Sequence, residues 1–259
     1  MADTTPRILA GTSGFSYKGW KGPFYPEDLP QIKWLAYYAS QLPAVEINNT
    51  FYRMPKESVV AGWAEQVPPH FRFALKASRR ITHFKRLKDA GDETGYFLRV
   101  SAALGERLGA LLFQLPPNLK CDLDRFDAFL ENLPSGTPAA FEFRHPSWRD
   151  AAVLERLTER QFAWVVSDVD DEDAPELTKT APWVYLRLRR TAYDRAALSD
   201  WATRCVGAQP DHALAFFKHE EAGAGPRLAA EFLAIAARVA KRRGPQRART
   251  ATPRRETGS

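Results

Sequence analysis

Cysteine is scarce in this chain: Cys121 and Cys205 are the two present, far apart and outside any CxxC pair. That excludes a disulfide framework and a thiolate zinc or iron–sulfur site. Long apolar runs are missing as well. Nothing approaches the roughly 20 apolar residues of a membrane span, and the opening MADTTPRILAGTSGF has no apolar signal-peptide core. A cytoplasmic protein without membrane association is expected. The glycines of GTSGFSYKGW spell neither GxGxxG nor a Walker loop, and the GxSxG, HExxH and EF-hand patterns do not occur. No dinucleotide or triphosphate site is indicated, and no cofactor follows from the sequence.

What is present is ordinary globular material, 44% hydrophobic and 26% charged over 259 residues, which suffices for one sizeable core. The net charge of +6 invites a nucleic-acid reading until its position is considered. From Lys241 onward seven basic residues stand against Glu256 alone, which leaves 30 basic and 30 acidic residues in positions 1–240. A neutral domain over 1–240 is therefore expected, followed by a basic, apolar-poor tail over 241–259 that is disordered. That tail would give at most weak nucleic-acid contact. Oligomeric state cannot be read from these features.

Eight short runs rich in β-branched and aromatic residues alternate with amphipathic segments: 7–13, 43–48, 71–77, 109–115, 139–143, 162–168, 183–188 and 212–218. Alternation of this kind predicts an α/β fold, a single TIM-type (β/α)8 barrel whose polar site lies where the apolar runs stop. Helical core stripes are expected at Ile32, Leu35, Ala36 and Ala39, at Val59, Val60, Trp63 and Val67, and at Leu123, Phe126, Leu130 and Leu133. Asp122 and Asp150 read as helix N-caps. Two long connections, 11–30 and 78 to about 93, follow strands and are expected over the same mouth.

Residues two apart on a strand share a face, so Glu46 pairs with Asn48 and Glu142 with Arg144. A carboxylate inside a run such as AAFEF is costly unless it is paired, which makes these groups either a structural ion pair or a site. Glu46, Glu142 and His145 are the candidate proton carriers. Asn48, Tyr52, Lys76, His83, Gln114, Arg144, Trp148, Asp168 and Arg187 are the candidate substrate-binding groups. A divalent ion held by Glu46, Glu142, His145 and Asp168 is an open alternative.

Several ordered motifs then resemble one family. GTSGFSYKGWKGPFYP (11–26), EINNTFYRMP (46–55), FALKASRRITH (73–83), QLPP (114–117) and EFRHPSW (142–148) together are similar to the YecE-like family, a domain of unknown function. The resemblance spans roughly residues 7–235 and implies a TIM-class barrel without an established reaction. It is weakest at the last strands, where Arg189-Arg190 and Lys218-His219 depart from the family's pattern. The expected function is an enzyme, whether hydrolase, lyase or isomerase, acting on a small polar or anionic organic molecule. In that reading Glu and His move protons while Arg and Lys position the anion. Two alternatives stand beside it. One is a glycosidase-like hydrolase using the two glutamates with Trp20, Tyr52 and Trp148. The other is a non-catalytic protein binding a ligand in its pocket and nucleic acid through its tail.

Overall fold

The structure is a computed structural model that describes residues 6–170 and 172–243. Eight parallel strands close into a barrel in chain order: β1 (Arg7–Ser13), β2 (Ala44–Ile47), β3 (Arg72–Lys76), β4 (Leu108–Gln114), β5 (Ala139–Glu142), β6 (Ala163–Asp168), β7 (Val184–Leu188) and β8 (His212–Phe217). The last strand pairs with the first over six residues, Arg7 with His212 through Thr12 with Phe217. Each strand lies within one of the eight apolar runs or starts one residue outside it. The helices are α1 (Trp34–Gln41), α2 (Asn49–Tyr52), α3 (Glu57–Glu65), α4 (Gly91–Ala102), α5 (Leu123–Leu130), α6 (Ala151–Glu159), α7 (Arg195–Gly207) and α8 (Ala224–Arg243). The connection from β6 to β7 carries no helix among the described residues.

Strand parity splits the core in two. One set of alternate residues, including Ala44, Ala74, Ala110, Ala140, Ala163, Trp183, Tyr185, Leu214 and Phe216, packs inside the barrel. The other, including Val45, Phe73, Phe113, Phe141, Val166, Leu186 and Phe217, packs between strands and helices. Alanines from β2 to β6 leave room in the lumen that the rings contributed by β7 and β8 fill, so the barrel is plugged rather than hollow.

The seam between β1 and β2 is unusual. Thr12 N–H donates to the Tyr38 hydroxyl at 2.9 Å, and that hydroxyl donates to Ala44 C=O at 2.9 Å. Gly11 admits this side chain: a Cβ built there would lie 1.8 Å from Ala44 O and 2.9 Å from the Tyr38 oxygen.

Asp122 and Asp150 cap α5 and α6 as expected, accepting from Arg125 N and Ala152 N. The stripe through Leu123, Phe126, Leu130 and Leu133 packs inward. The first stripe does not. Ile32 is 81% exposed and Ala36 is exposed, because the helix starts only at Trp34 and turns Trp34, Leu35, Tyr38 and Ala39 to the core. Val59 is exposed too, leaving Val60, Ala64 and Val67 as the buried residues there. The barrel body extends past residue 240, since α8 runs to Arg243 and Arg243 Nη1 donates to Val206 O at 3.2 Å. Of the tail expected over 241–259, residues 241–243 belong to this helix, and 244–259 lie outside the described residues. No described helix is long and apolar enough to cross a membrane.

Candidate active site at the barrel mouth

Above the apolar plug the inward positions turn polar at the C-terminal strand ends. Ladder register puts Ser13 beside Glu46 and Gln114 beside Glu142. Tyr185 and Arg187, two apart on β7, face the same space. Arg187 organises it. Its Nε and Nη2 grip Glu46 at 3.0 and 2.8 Å, and its Nη1 reaches Glu142 at 2.5 Å. Glu46 also accepts from Ser13 Oγ at 2.7 Å, Tyr185 Oη at 2.7 Å and Asn48 Nδ2 at 3.0 Å. Both Glu142 oxygens accept from Gln114 Nε2 at 2.8 Å, and one lies 3.3 Å from Arg144 Nε and 3.6 Å from Arg189 Nη1. Gln114 Oε1 in turn accepts from Lys76 Nζ at 2.8 Å.

The electrostatics follow from this wiring. Burial raises the Glu46 carboxyl, but the charge of Arg187 and the hydrogen bonds from Arg187, Tyr185 and Ser13 outweigh it and hold the group below its ordinary value. Burial likewise works against the charged form of Glu142, yet Arg187, Arg144 and Arg189 bring it down to about 2. Arg187 is raised by the two carboxylates despite burial. Lys76 moves the other way. Burial and the nearby Arg187 lower it to about 8, only partly opposed by Glu46 and Glu142. The glutamates expected to carry protons are therefore permanent anions near neutrality, and the group that titrates there is Lys76.

A stability consequence follows, with its sign. Glu142 is depressed in the folded protein, so its contribution is complete above the unfolded value of about 4.5 and is lost as pH falls from there toward 2. The shift corresponds to a loss on the order of 3 kcal/mol. Denaturant midpoints measured between pH 6 and 2.5 should show it, with a flatter profile in Glu142→Gln; equal slopes in both proteins would refute the assignment.

The mouth collects Glu46, Asn48, Lys76, Gln114, Glu142, Arg144 and Arg187. His83 and Tyr52 border it. The Phe51 ring lies between Lys76 Nζ, 4.1 Å from its centroid, and His83, whose ring packs edge-on at 4.9 Å. Tyr52 is 66% exposed, with Arg79 over its ring. Two other expected residues are elsewhere, and a third has a ring nitrogen taken up by a turn. Asp168 has the parity of Val166 and faces outward, where Arg190 Nε, Tyr193 Oη and Trp201 Nε1 satisfy it at 2.7 to 2.9 Å. Trp148 is buried against Phe126 and Phe143 with its indole N–H on Leu119 O, so it offers no ring face to a ligand. His145 caps the turn Pro146–Trp148, bonded to Ser147.

These placements also undo the two alternatives built on the same residues. Glu46, Glu142, His145 and Asp168 do not converge, and no group of three such ligands exists among the described residues. The two glutamates do not flank an open gap suited to a glycosidic bond, because the Arg187 guanidinium stands between them; Trp20 is fully buried with its N–H on Glu220 O. Ser13, Tyr185 and Phe51 were missed as members of the layer. The two-residue parity of β7 was the signal for Tyr185.

A family model described as "Protein of unknown function DUF72" matches residues 9–254. The chain belongs to this family. Among curated relatives, it is 35% identical over 112 residues to the UPF0759 protein YecE of Escherichia coli K12, a match covering 43% of this chain and 41% of YecE. It is 26% identical over 179 residues to the UPF0759 protein YunF of Bacillus subtilis 168, covering 65% and 62%. The chain thus spans less than two thirds of the length of these relatives. A DUF72 family protein of Thermotoga maritima MSB8 superimposes with a TM-score of 0.78 at 27% identity, over 89% of this chain and 99% of that one. A DUF72 protein of Enterococcus faecalis V583, at 22% identity and a TM-score of 0.73 over 90% and 99%, shares the fold.

Proposed function

We propose that this DUF72 protein is an enzyme acting on a small organic anion at the C-terminal mouth of its barrel. Arg144 and Arg189 receive the anion, and Lys76 is the group that changes protonation. The observation that carries this reading is the charge balance of the layer. Two carboxylates, Glu46 and Glu142, meet four cations, Lys76, Arg144, Arg187 and Arg189. Arg187 alone saturates much of the carboxylate capacity, so positive charge is left over on the side that solvent reaches, where the Arg144 and Arg189 side chains are 33% and 19% exposed. Arg189 Nε is buried and has no partner, a donor held ready for an acceptor oxygen. Guanidinium groups suit carboxylate or phosphate by geometry as well as charge.

Calorimetric titration with a panel of small carboxylates and phosphates tests this. Mass spectrometry of molecules carried through native purification identifies the ligand. Arg144→Ala should weaken anion affinity by about 1.5 to 3 kcal/mol, the range of a charge-assisted hydrogen bond. Equal affinity in the two proteins, or no binding to either, sinks the assignment. Binding without any turnover would leave a ligand-binding protein instead of an enzyme.

A further inference from the structure

Lys76 differs from every other cation of the mouth in what it touches. Arg187, Arg144 and Arg189 each approach a carboxylate, whereas Lys76 Nζ donates to a neutral amide oxygen, Gln114 Oε1. Gln114 is locked in that role, since its own Nε2 is held by both oxygens of Glu142. The carboxylate is thus kept one residue away, and no acidic side chain pairs with Lys76 among the described residues. On another side the amine rests over the Phe51 ring. The residue is 9% exposed, at the open end of the barrel rather than within the plug. An ammonium so placed is stripped of water without a counter-ion, which favours the free amine.

We infer that Lys76 is a nucleophile that forms an imine with the carbonyl carbon of a 2-oxo acid or similar carbonyl-bearing anion. This rests on the anion-binding reading above and names its substrate class. The free amine's lone pair attacks the carbonyl carbon. In the addition the carbonyl oxygen takes the proton released from nitrogen; the carbinolamine's hydroxyl then takes a second proton from solvent and departs as water as the C=N bond forms, so the imine is produced protonated and no oxidant or reductant is needed. The protonated imine keeps one N–H for Gln114 Oε1 and keeps its charge beside Phe51. Arg144 and Arg189 hold the substrate's carboxylate meanwhile. The charged groups that bear on the amine are Arg187 from β7, Glu46 from β2, Glu142 from β5 and Arg144 just beyond it, with His83 across the Phe51 ring. Arg187 and Arg144 offset the pull of the two carboxylates, and burial tips the balance toward the free amine, in keeping with a value of about 8.

The test is reductive trapping on the full-length protein. Glyoxylate or pyruvate is added with cyanoborohydride at pH 7.5, and adducts at each lysine are quantified by peptide mass spectrometry, with acetone as the uncharged control. Lys76 should be labelled about tenfold or more faster than the exposed lysines, reflecting its larger fraction of free amine. Arg144→Ala, which leaves the nucleophile in place, should slow labelling by the 2-oxo acids toward the acetone rate. Lys76 labelled no faster than the exposed lysines, while calorimetry still detects anion binding dependent on Arg144, overturns the imine and leaves the anion site standing. Fast labelling that is equal for acetone and pyruvate keeps the nucleophile and overturns the anionic substrate class. Neither labelling nor anion binding overturns both readings.

Discussion

Arg187→Met should be the most damaging single change in the barrel, lowering unfolding free energy by about 3 to 5 kcal/mol, the loss typical when one partner of a buried pair is removed. The reason is what remains. Glu46 and Glu142 are 0% and 2% exposed, and without the guanidinium between them two like charges face each other in a site stripped of water. The pH dependence contributed by Glu46 should also change sign. In the wild type the two carboxyls are depressed, and stability falls on acidification. In the variant Arg144 and Arg189 still face Glu142, but Glu46 loses its one guanidinium, so burial and repulsion from Glu142 raise it; its contribution is then present below the unfolded value and is lost as pH rises through the raised folded value. Adding Glu46→Gln and Glu142→Gln to the variant removes the charges and should recover much of the loss. Urea midpoints for the single and triple variants at pH 5 and 8 decide this; a single variant within about 1 kcal/mol of wild type would mean the triad is not buried as described.

Gly11→Ala is expected to cost about 3 kcal/mol, the upper end of the usual overpacking range. The new Cβ would meet Ala44 O at 1.8 Å and Ala44 C at 2.7 Å, both backbone atoms of the paired strand, so β1 and β2 must separate. No rotamer change relieves a clash with main chain. Gly95 provides the contrast. It lies inside α4 with nothing within 4 Å of its built Cβ, and Gly95→Ala should be stabilising by about 0.5 to 1 kcal/mol through helix propensity. If both variants melt alike, the close approach at Gly11 is not a constraint.

The barrel could be read in advance because parallel strands buried on both faces leave continuous apolar runs, and all eight did. The same alternation placed Glu46, Lys76, Gln114, Glu142 and Arg187 at one end. It misled at Asp168, where being last on a strand was given more weight than sharing a face with Val166. Aromatic residues near a mouth are ambiguous in a different way. Trp20 and Trp148 occur in glycine- and proline-rich turns that look exposed, yet each donates its indole N–H to a loop carbonyl and serves as a plug. The direction of the glutamate shift was illegible for a third reason. Burial and ion pairing act oppositely, and the guanidinium groups gathered on the two carboxylates, Arg187 first among them, decide which prevails.

The hydroxyl of Tyr38 between Thr12 and Ala44 bears on the order in which the molecule assembles. Adjacent parallel strands ordinarily complete their ladder with main-chain groups alone, as soon as the two segments meet. At this seam one donor and one acceptor must wait for a side chain that arrives on α1. The first strand therefore cannot finish its join to the second until the helix between them has docked, and completing the sheet at this seam is a tertiary event, made by a helix rather than by the strands alone.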